Sequence, residues 1–329
     1  MAVRVTRATA QIGVAACAIA LTACAQEGSA DNEQAAAPSG QQAATAQVAQ
    51  QDAASAEDDQ AALLARGDYL MNSIVACGNC HSSRDENGNF IEGMELAGGF
   101  VIEEPGFRAY APNITPDVET GIGSWTDEQI IRAVREGIRP DGRVLGPPMG
   151  FPFYRGISDR DIRAIVAYLR SVPPVRNEVP RSTYNIPLPP NWGDPVVSVP
   201  EPNKDDPVEY GRYLTHNLGH CTDCHTPLVN GQHDFSRTGA GGNVFPMPFG
   251  YEWSAISANI TSHPELGLGS WTDDEIKRAI TEGISRDGRE LLPFMAFSFY
   301  KNITDEDLDA IVAYLRTLPP ATAEPPAEQ

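Results

Sequence analysis

Two stretches of this chain place apolar residues at the same helical spacing. After Thr126 and again after Thr272, an isoleucine is followed three positions later by alanine and four positions later by valine or isoleucine, which is the period of an amphipathic helix. Each threonine precedes a glutamine or glutamate by three residues, the arrangement of a capping box. A glycine, Gly137 or Gly283, then marks each helix end. The pattern predicts two equivalent middle helices.

A second pair of helices is predicted further along the chain. Apolar residues at helical spacing follow Ser158 and Thr304, and a pair of prolines after each run prevents the helix from continuing. Earlier runs predict a first helix at about 62–76 and at 207–220, each ending directly at a cysteine motif. Since no strand-like alternation competes with these assignments, the predicted fold class is all-α.

Most of the chain consists of one unit that occurs twice. Gly67 and Cys77 recur 144 residues later as Gly211 and Cys221. Three longer segments recur 146 residues later: Asn113-Ile114-Thr115, Gly123-Ser124-Trp125-Thr126-Asp127 and Ile165-Val166-Ala167-Tyr168-Leu169-Arg170. The repeat predicts domains at 61–175 and 206–321. Between them, 176–205 is rich in proline and has no helical period, so we expect an extended connector that lies along the domain surfaces.

The N-terminal region has the features of an export signal. Residues 1–23 begin with Arg4 and Arg7 and continue with an uncharged apolar stretch that is too short to span a bilayer well. The stretch ends in Leu-Thr-Ala followed by Cys24, which resembles a bacterial lipobox. We therefore predict lipidation of Cys24, and the alternative is plain secretory cleavage at the same place.

The segments at both ends of the folded region are predicted to be disordered. Residues 24–60 consist mainly of alanine, glutamine, serine and aspartate, which cannot form a packed core, and 322–329 form a short tail. With Cys24 lipidated, the folded part would lie on the periplasmic side, anchored to the cell membrane or the outer membrane. Without the lipid it would be a soluble periplasmic protein.

The charge of the chain is strongly acidic. Its 329 residues include 24 Lys and Arg against 44 Asp and Glu, a formal net charge of -20. Such a surface argues against nucleic acid as a partner.

Two cysteine motifs have the spacing of covalent haem attachment. Cys77-Gly78-Asn79-Cys80-His81 and Cys221-Thr222-Asp223-Cys224-His225 both fit C-x-x-C-H. Two thiols at this spacing add to the haem vinyl groups, and the following histidine becomes the proximal iron ligand. The motifs predict two covalently bound haem c groups, with Cys77, Cys80, Cys221 and Cys224 as thioethers.

Other uses of these cysteines fit less well. A zinc site would need four ligands together, whereas the two motifs lie in separate copies of the repeat. A thioredoxin-like pair would follow a strand in an α/β pattern, and the sequence predicts none. Disulfides suit an exported protein but give no reason for His81 and His225.

The sixth iron ligand is predicted from the repeat. Methionine is a common distal ligand of cytochromes c and raises the reduction potential. Met149 and Met295 are the only methionines in matched positions, whereas Met71, Met94 and Met247 have no counterpart. Four further histidines without counterparts are expected in ordinary helix or surface roles: His216, His220, His233 and His263.

With these residues in place, each half resembles the class I cytochrome c domain, in which a helix leads to C-x-x-C-H and a methionine loop leads to a final helix. A closer resemblance is to the cytochrome c subunits of bacterial membrane-bound alcohol, aldehyde and gluconate dehydrogenases. The haem domains of those subunits carry three similar segments in the same order, which are Asn-Ile-Thr, Gly-x-Gly-x-Trp-Thr-Asp and Pro-x-Met. Members also often have proline two residues after the motif, as Pro227 is here, whereas Ser83 holds that position in the first copy. The resemblance therefore does not predict equal hydrogen bonding of His81 and His225, or equal reduction potentials of the two haems.

The sequence predicts an electron-transfer protein rather than an enzyme. We expect electrons to arrive singly from a dehydrogenase or a quinol-oxidising complex and to leave towards an oxidase or another acceptor. One alternative is a dihaem enzyme of the peroxidase or thiosulfate dehydrogenase type, which would need an exchangeable distal ligand. The other is a fixed electron-transfer subunit of a dehydrogenase complex.

Overall fold

Helices form the frame of each domain. The computed structural model describes residues 57–246 and 254–323. Helix α1 covers 57–72, and the other helices of domain 1 are α2 (Gly78–His81), α3 (Asp127–Glu136), α4 (Phe151–Tyr154) and α5 (Asp159–Ser171). Domain 2 repeats this order with α6 (Pro207–Arg212), α7 (Cys221–His225), α8 (Asp273–Thr281), α9 (Phe297–Tyr300) and α10 (Asp305–Thr317). The repeat in the sequence is therefore a repeat in the structure.

The prediction of an all-α fold was incomplete, because short strands accompany the helices. A three-stranded antiparallel sheet of domain 1 contains β1 (Val101–Glu104), β2 (Phe107–Tyr110) and β3 (Thr183–Tyr184). In domain 2, two hairpins pair β4 (Leu228–Val229) with β5 (Gln232–His233) and β6 (Val244–Pro246) with β7 (Ser254–Ile256). Strands of two to four residues are too short to show a period of two in the sequence.

The first helices differ from the prediction in extent. Helix α1 is already formed at residue 57, within the segment predicted to be disordered, and it ends at 72 rather than 76. A turn with Ala76 at a φ of 49° leads from it to the cysteine motif. In domain 2, α6 is α-helical only to Arg212 and continues as a wider π-helical turn over Tyr213–Leu218.

Close helix crossings depend on a glycine in each domain. A Cβ atom on Gly67 would lie 2.0 Å from the carbonyl oxygen of Ala164, and one on Gly211 would lie 1.8 Å from that of Ala310. Both distances are far below van der Waals contact. Tyr168 and Tyr314 stand beside these crossings, each with its Cβ 3.0 Å from the same hypothetical atom. The first and last helices of each domain can therefore touch backbone to backbone.

The connector lies along the surface of domain 1, as expected. Its strand β3 extends the sheet by pairing Tyr184 with Phe107. Further on, the Trp192 indole donates a hydrogen bond to the Leu145 carbonyl at 2.8 Å and packs on the ring of Phe151. The segment is thus anchored by both backbone and side-chain contacts.

Reciprocal tyrosines join the two domains. The hydroxyl of Tyr69 in domain 1 donates to Asp307 of domain 2 at 2.6 Å, and the hydroxyl of Tyr213 in domain 2 donates to Asp161 of domain 1 at 2.8 Å. The two tyrosines hold matched positions in the repeat, as do the two aspartates. One continuous hydrophobic core contains residues of both domains, among them Leu70 and Leu214. The two domains consequently dock through equivalent surfaces.

Candidate functional site

Each C-x-x-C-H motif lies on a short helix at the start of its domain. Helix α2 begins directly after Cys77, and α7 begins at Cys221. Within the described part of the chain, the four motif cysteines form no disulfide, and all four are half-buried. One helical turn thus presents two thiols and an imidazole together, at both places.

The two motif histidines are held in the same way. The Nδ1 atom of His81 lies 2.9 Å from the Pro112 carbonyl oxygen, and that of His225 lies 2.7 Å from the Ala258 carbonyl oxygen. A carbonyl only accepts, so Nδ1 carries the proton in each ring and Nε2 keeps its lone pair. Burial lowers the pKa of both histidines, which favours the neutral form that binds metals.

The two motif histidines do not differ in this hydrogen bond. Pro112 and Ala258 are matched residues of the repeat, so the rings of His81 and His225 bond to equivalent carbonyl groups. The partner is a backbone carbonyl that lies 31 residues downstream of His81 and 33 residues downstream of His225. Such a bond fixes the orientation and the proton position of a metal-binding histidine. Ser83 and Pro227 therefore do not distinguish the hydrogen bonding of the two rings.

Burial in apolar surroundings keeps the motif thiols protonated. It raises the pKa of Cys77 to about 12 and that of Cys221 to about 11, and it also raises the pKa of Cys80 and Cys224. A thioether has no proton to lose and no charge to bury. The environment of the four sulfur atoms therefore fits covalent attachment better than metal binding as thiolates.

The predicted axial methionines begin equivalent turns. The Met149 carbonyl accepts from the Phe151 amide at 2.9 Å, and the Met295 carbonyl accepts from the Phe297 amide at the same distance. Both methionines are half-buried, and Met149 packs against the hydrophobic core, as Cys77 does. The matched backbone supports equal roles for the two residues, while their binding to iron stays a prediction.

The methionines that the repeat excluded have other environments. Met71 is 2 % exposed and belongs to the core of α1, whereas Met94 is half-buried in the loop before β1. Met247 lies outside the described residues, as do Cys24 and the predicted signal.

Both attachment motifs face the boundary between the domains. The buried phenol groups of Tyr154 and Tyr300, which are matched residues, have pKa values raised well above the ordinary value by burial and then by nearby thiols. For Tyr300 these include Cys80 of the other domain as well as its own Cys221 and Cys224. A Cβ on Gly78 would lie 3.0 Å from the ring of Phe299. The fold thus places the two sites next to each other.

Three of the four histidines without counterparts stabilise local structure. His233 pairs with the Asp223 carboxylate at 2.9 Å, and His216 bonds to the Thr222 hydroxyl at 2.8 Å. The His263 ring accepts hydrogen bonds from two backbone amides in the following turn. Sequence reasoning missed the packing of Phe153 from domain 1 against His216 and His233, because no pattern links these distant positions.

The chemistry of each site fits haem c. Two half-buried thiols one turn apart can form neutral thioethers, and an imidazole with a fixed proton on Nδ1 offers Nε2 to iron. Among the described residues, no group of three or more His, Cys, Asp and Glu side chains is arranged to hold a metal ion directly. Iron held in a porphyrin needs only axial ligands from the chain, so a protein-only metal cluster is not required.

Comparison with known proteins gives a consistent result. The family model of cytochrome c matches residues 64–173 and again 208–319. The cytochrome c subunit of the quinone-type alcohol dehydrogenase of Gluconobacter oxydans is 32% identical over 81% of this chain and 57% of its own length. The fructose dehydrogenase cytochrome subunit of Gluconobacter japonicus is 34% identical over 78% of this chain and 52% of its own length.

A shorter relative is matched over most of its length. The diheme cytochrome c-type protein of Cereibacter sphaeroides is 29% identical over 74% of this chain and 82% of its own length. By contrast, the chain spans only about half the length of the two dehydrogenase cytochrome subunits.

Proposed function

We propose that this chain, which belongs to the cytochrome c family, receives single electrons from a dehydrogenase and passes them on through two His/Met-ligated haems. The chain carries two covalently bound haem c groups, and its role is electron transfer. The observation that carries the proposal is the pair of identically held histidines, His81 and His225.

Each side chain of the site has a specific task in this proposal. Cys77 and Cys80, and in domain 2 Cys221 and Cys224, hold the group covalently. The carbonyl that fixes each motif histidine keeps the ring neutral and oriented, so that no proton has to move when an electron does. Bound haem supplies the one-electron couple of its iron.

The methionine assignment can be tested by substitution. Replacing Met149 or Met295 by leucine should remove a ligand that stabilises ferrous iron, and the potential of that haem should fall while the other stays unchanged. Redox titration followed by visible absorption measures both potentials, and carbon monoxide binding reports an opened coordination position. Met94→Leu is the matched control, since Met94 lies in a loop. If both variants titrate as the wild type does, other residues bind the iron.

The electron donor in this proposal is a dehydrogenase. Support comes from relatives that are named as cytochrome subunits of alcohol and fructose dehydrogenases. A quinol-oxidising complex is the alternative donor, and an oxidase or another acceptor would receive the electrons. Purification of the tagged chain from membranes, followed by mass spectrometry, tests the donor: a dehydrogenase subunit in constant stoichiometry is expected. Recovery with quinol-oxidising components alone would contradict the proposal.

The location in this proposal is the periplasmic side of a membrane, with a lipid on Cys24 as the anchor. The signal at 1–23 and the cysteine that follows it support this, and both lie outside the described residues. Within the described ranges, every helix is too short or too polar to cross a bilayer. Cys24→Ser should release the protein from washed membranes into the soluble periplasmic fraction. Unchanged membrane retention would refute the lipid anchor, and a wild type that is already soluble would favour plain cleavage.

The domain boundaries are part of the proposal as well. We place the two haem domains at 61–175 and 206–321, and the family model matches inside both ranges. Limited proteolysis of the haem-loaded chain should leave a resistant core that begins before α1. Early cleavage inside either domain would contradict these limits.

A further inference from the structure

The third residue of the attachment motif carries a charge in only one of the two domains. It is Asn79 in domain 1 and Asp223 in domain 2. Both side chains are half-buried on the short motif helices α2 and α7. Domain 2 therefore has a carboxylate at the position where domain 1 has a neutral amide.

A side chain from the hairpin after each motif contacts this third residue twice. In domain 1 the Arg84 guanidinium donates to the backbone carbonyl and to the side-chain oxygen of Asn79, both at 2.9 Å. In domain 2 the Nε2 atom of His233 lies 3.0 Å from the backbone carbonyl oxygen of Asp223 and 2.9 Å from its carboxylate. Each motif helix thus has the same pair of contacts, made by a different basic side chain.

The two basic side chains come from opposite strands of equivalent hairpins. Arg84 pairs with Phe90 across the hairpin of domain 1, and Leu228 pairs with His233 across that of domain 2. Arg84 and Leu228 are matched residues, since each follows the first cysteine of its motif at the same distance. The basic and the apolar residue have therefore exchanged strands between the two domains.

Packing across the domain boundary shows that the hairpin positions are equivalent. Phe90 of domain 1 packs edge-on against Phe299 of domain 2, with ring centroids 6.1 Å apart. His233 of domain 2 packs edge-on against Phe153 of domain 1 at 5.2 Å. Phe153 and Phe299 are matched residues. The surroundings of the two motifs therefore share their geometry and differ in their charge.

These charges act on the sulfur atoms of the motifs. Burial raises the pKa of Cys80, and the Arg84 cation opposes this rise. Burial also raises the pKa of the matched Cys224, where the Asp223 carboxylate and Glu104 of domain 1 add to the rise. One attachment sulfur therefore faces a cation, and its counterpart faces carboxylates.

We propose that Arg84 and Asp223 give the two haem sites unequal reduction potentials, with the higher potential in domain 1. Reduction adds an electron, so a nearby cation favours the reduced state and a nearby anion favours the oxidised state. The inference rests on the proposed function in one respect, namely that both sites take up electrons. At equilibrium the first electron taken up by the chain resides in domain 1, and domain 2 is reduced second.

The protonation state of His233 has to be fixed in the test. A protonated His233 would cancel the charge of Asp223, and the hydrogen bond to that carboxylate raises the pKa of His233 above its ordinary value. The potentials are therefore measured at about pH 8.5, where an imidazole is mostly neutral. Arg84 keeps its charge under these conditions.

Redox titration of the haem-loaded full chain, followed by visible absorption, measures both potentials. The wild type should titrate in two steps, and the step that Met149→Leu moves belongs to domain 1. Arg84→Gln should lower the potential of domain 1 by about 59 mV, which is a tenfold change in a one-electron equilibrium. A unit charge about 12 Å away has an effect of this size at an effective dielectric constant of about 20.

The carboxylate is tested by giving domain 2 the residue that domain 1 already has. Asp223→Asn should raise the potential of domain 2 about tenfold in the same equilibrium, or about 59 mV. The potential of domain 1 should rise less, although a Cβ atom on Gly150 of domain 1 would lie 3.3 Å from this carboxylate. The reverse exchange, Asn79→Asp, should lower the potential of domain 1. These two variants decide the question if Arg84→Gln does not bind haem.

Two control variants separate the charge of Arg84 from its contacts. Arg84→Lys keeps the charge and loses the double contact with Asn79, so the potential of domain 1 should stay near that of the wild type. Arg132→Gln removes an exposed charge on α3 and should leave both potentials unchanged. If Arg84 only held the motif helix in place, Arg84→Lys and Arg84→Gln would shift the potential equally.

Three results would overturn the proposal. These are equal potentials in the wild type, equal shifts in Arg84→Lys and Arg84→Gln, and an Asp223→Asn variant in which domain 1 shifts at least as far as domain 2. The titration uses chemical mediators and no dehydrogenase. Its failure therefore leaves the proposed function standing, and failure to react with a dehydrogenase leaves the order of the two potentials standing.

Discussion

The contact of Tyr213 with Asp161 is expected to decide how firmly the two domains dock. Both residues are buried, with exposures of 4% and 5%. The Tyr213 hydroxyl donates to the carboxylate at 2.8 Å and accepts from the Ser158 amide at 3.0 Å. The substitution Tyr213→Phe removes both hydrogen bonds and keeps the ring. It therefore isolates the hydroxyl group from the packing.

The expected loss follows from the two bonds. A hydrogen bond to a charged group contributes about 1.5–3 kcal/mol, and a buried amide left without a partner costs about 1–3 kcal/mol. Asp161 keeps two contacts with the Arg66 guanidinium at 2.8 and 3.0 Å, so the carboxylate is not left unpaired. We expect Tyr213→Phe to lower the free energy of unfolding by about 3 kcal/mol.

The matched residue Tyr69 provides the control. Its hydroxyl makes the reciprocal bond to Asp307 but is only half-buried, so water can replace the tyrosine as a partner. We expect Tyr69→Phe to cost about 1 kcal/mol. Both losses can be measured by urea unfolding of the haem-loaded chain, followed by far-UV circular dichroism. The loss in free energy of unfolding is obtained from the shift of the urea midpoint, provided that the dependence of the free energy on urea concentration has the same slope in all variants. Equal losses, or no loss for Tyr213→Phe, would refute the reasoning.

Three further predictions concern the helix crossing and the connector. Gly211→Ala forces a Cβ against the Ala310 carbonyl and should lower the free energy of unfolding by about 3 kcal/mol or more, measured by urea unfolding. The pKa of Asp159 is lowered, mainly by the hydrogen bond from the Ser198 hydroxyl. The stabilisation of the folded chain by this carboxylate is therefore fully present above the unfolded pKa of about 3.9 and is lost as the pH falls through the lower folded pKa. In that acidic range, and not at neutral pH, the protection of the Val199 amide from hydrogen exchange should fall. Trp192→Ala should make the connector the first site of limited proteolysis, and unchanged cleavage would contradict its anchoring role.

The middle helices were predictable because their signals are local. Thr126 accepts from the Gln129 amide at 3.3 Å and donates its own amide to the Gln129 side chain at 2.9 Å, which is the capping box that the sequence predicted. Helix α8 has the same box at Thr272. Strands were missed because each covers at most four residues and depends on partners distant in the sequence, such as Tyr184 for Phe107.

In the candidate site, too, the features that are local in the sequence could be predicted, whereas contacts between distant residues could not. The repeat predicted that His81 and His225 are equivalent, whereas the residues that follow them left the equality of their hydrogen bonding open. The partner is a backbone carbonyl, which every residue possesses, so residue identity at Pro112 and Ala258 carries no signal. The docking of the two domains could not be predicted from the sequence either, because it depends on contacts between distant residues such as Tyr69 and Asp307.

The reciprocal tyrosine contacts make the molecule comparable to a two-fold dimer whose subunits have been joined into one chain. In a symmetric dimer each contact occurs twice, as the pairs Tyr69 with Asp307 and Tyr213 with Asp161 do here. A dimer of separate subunits dissociates on dilution, whereas the connector holds the second domain at an effective concentration in the millimolar range. The neighbouring placement of the two haem sites is therefore independent of how much protein the cell makes.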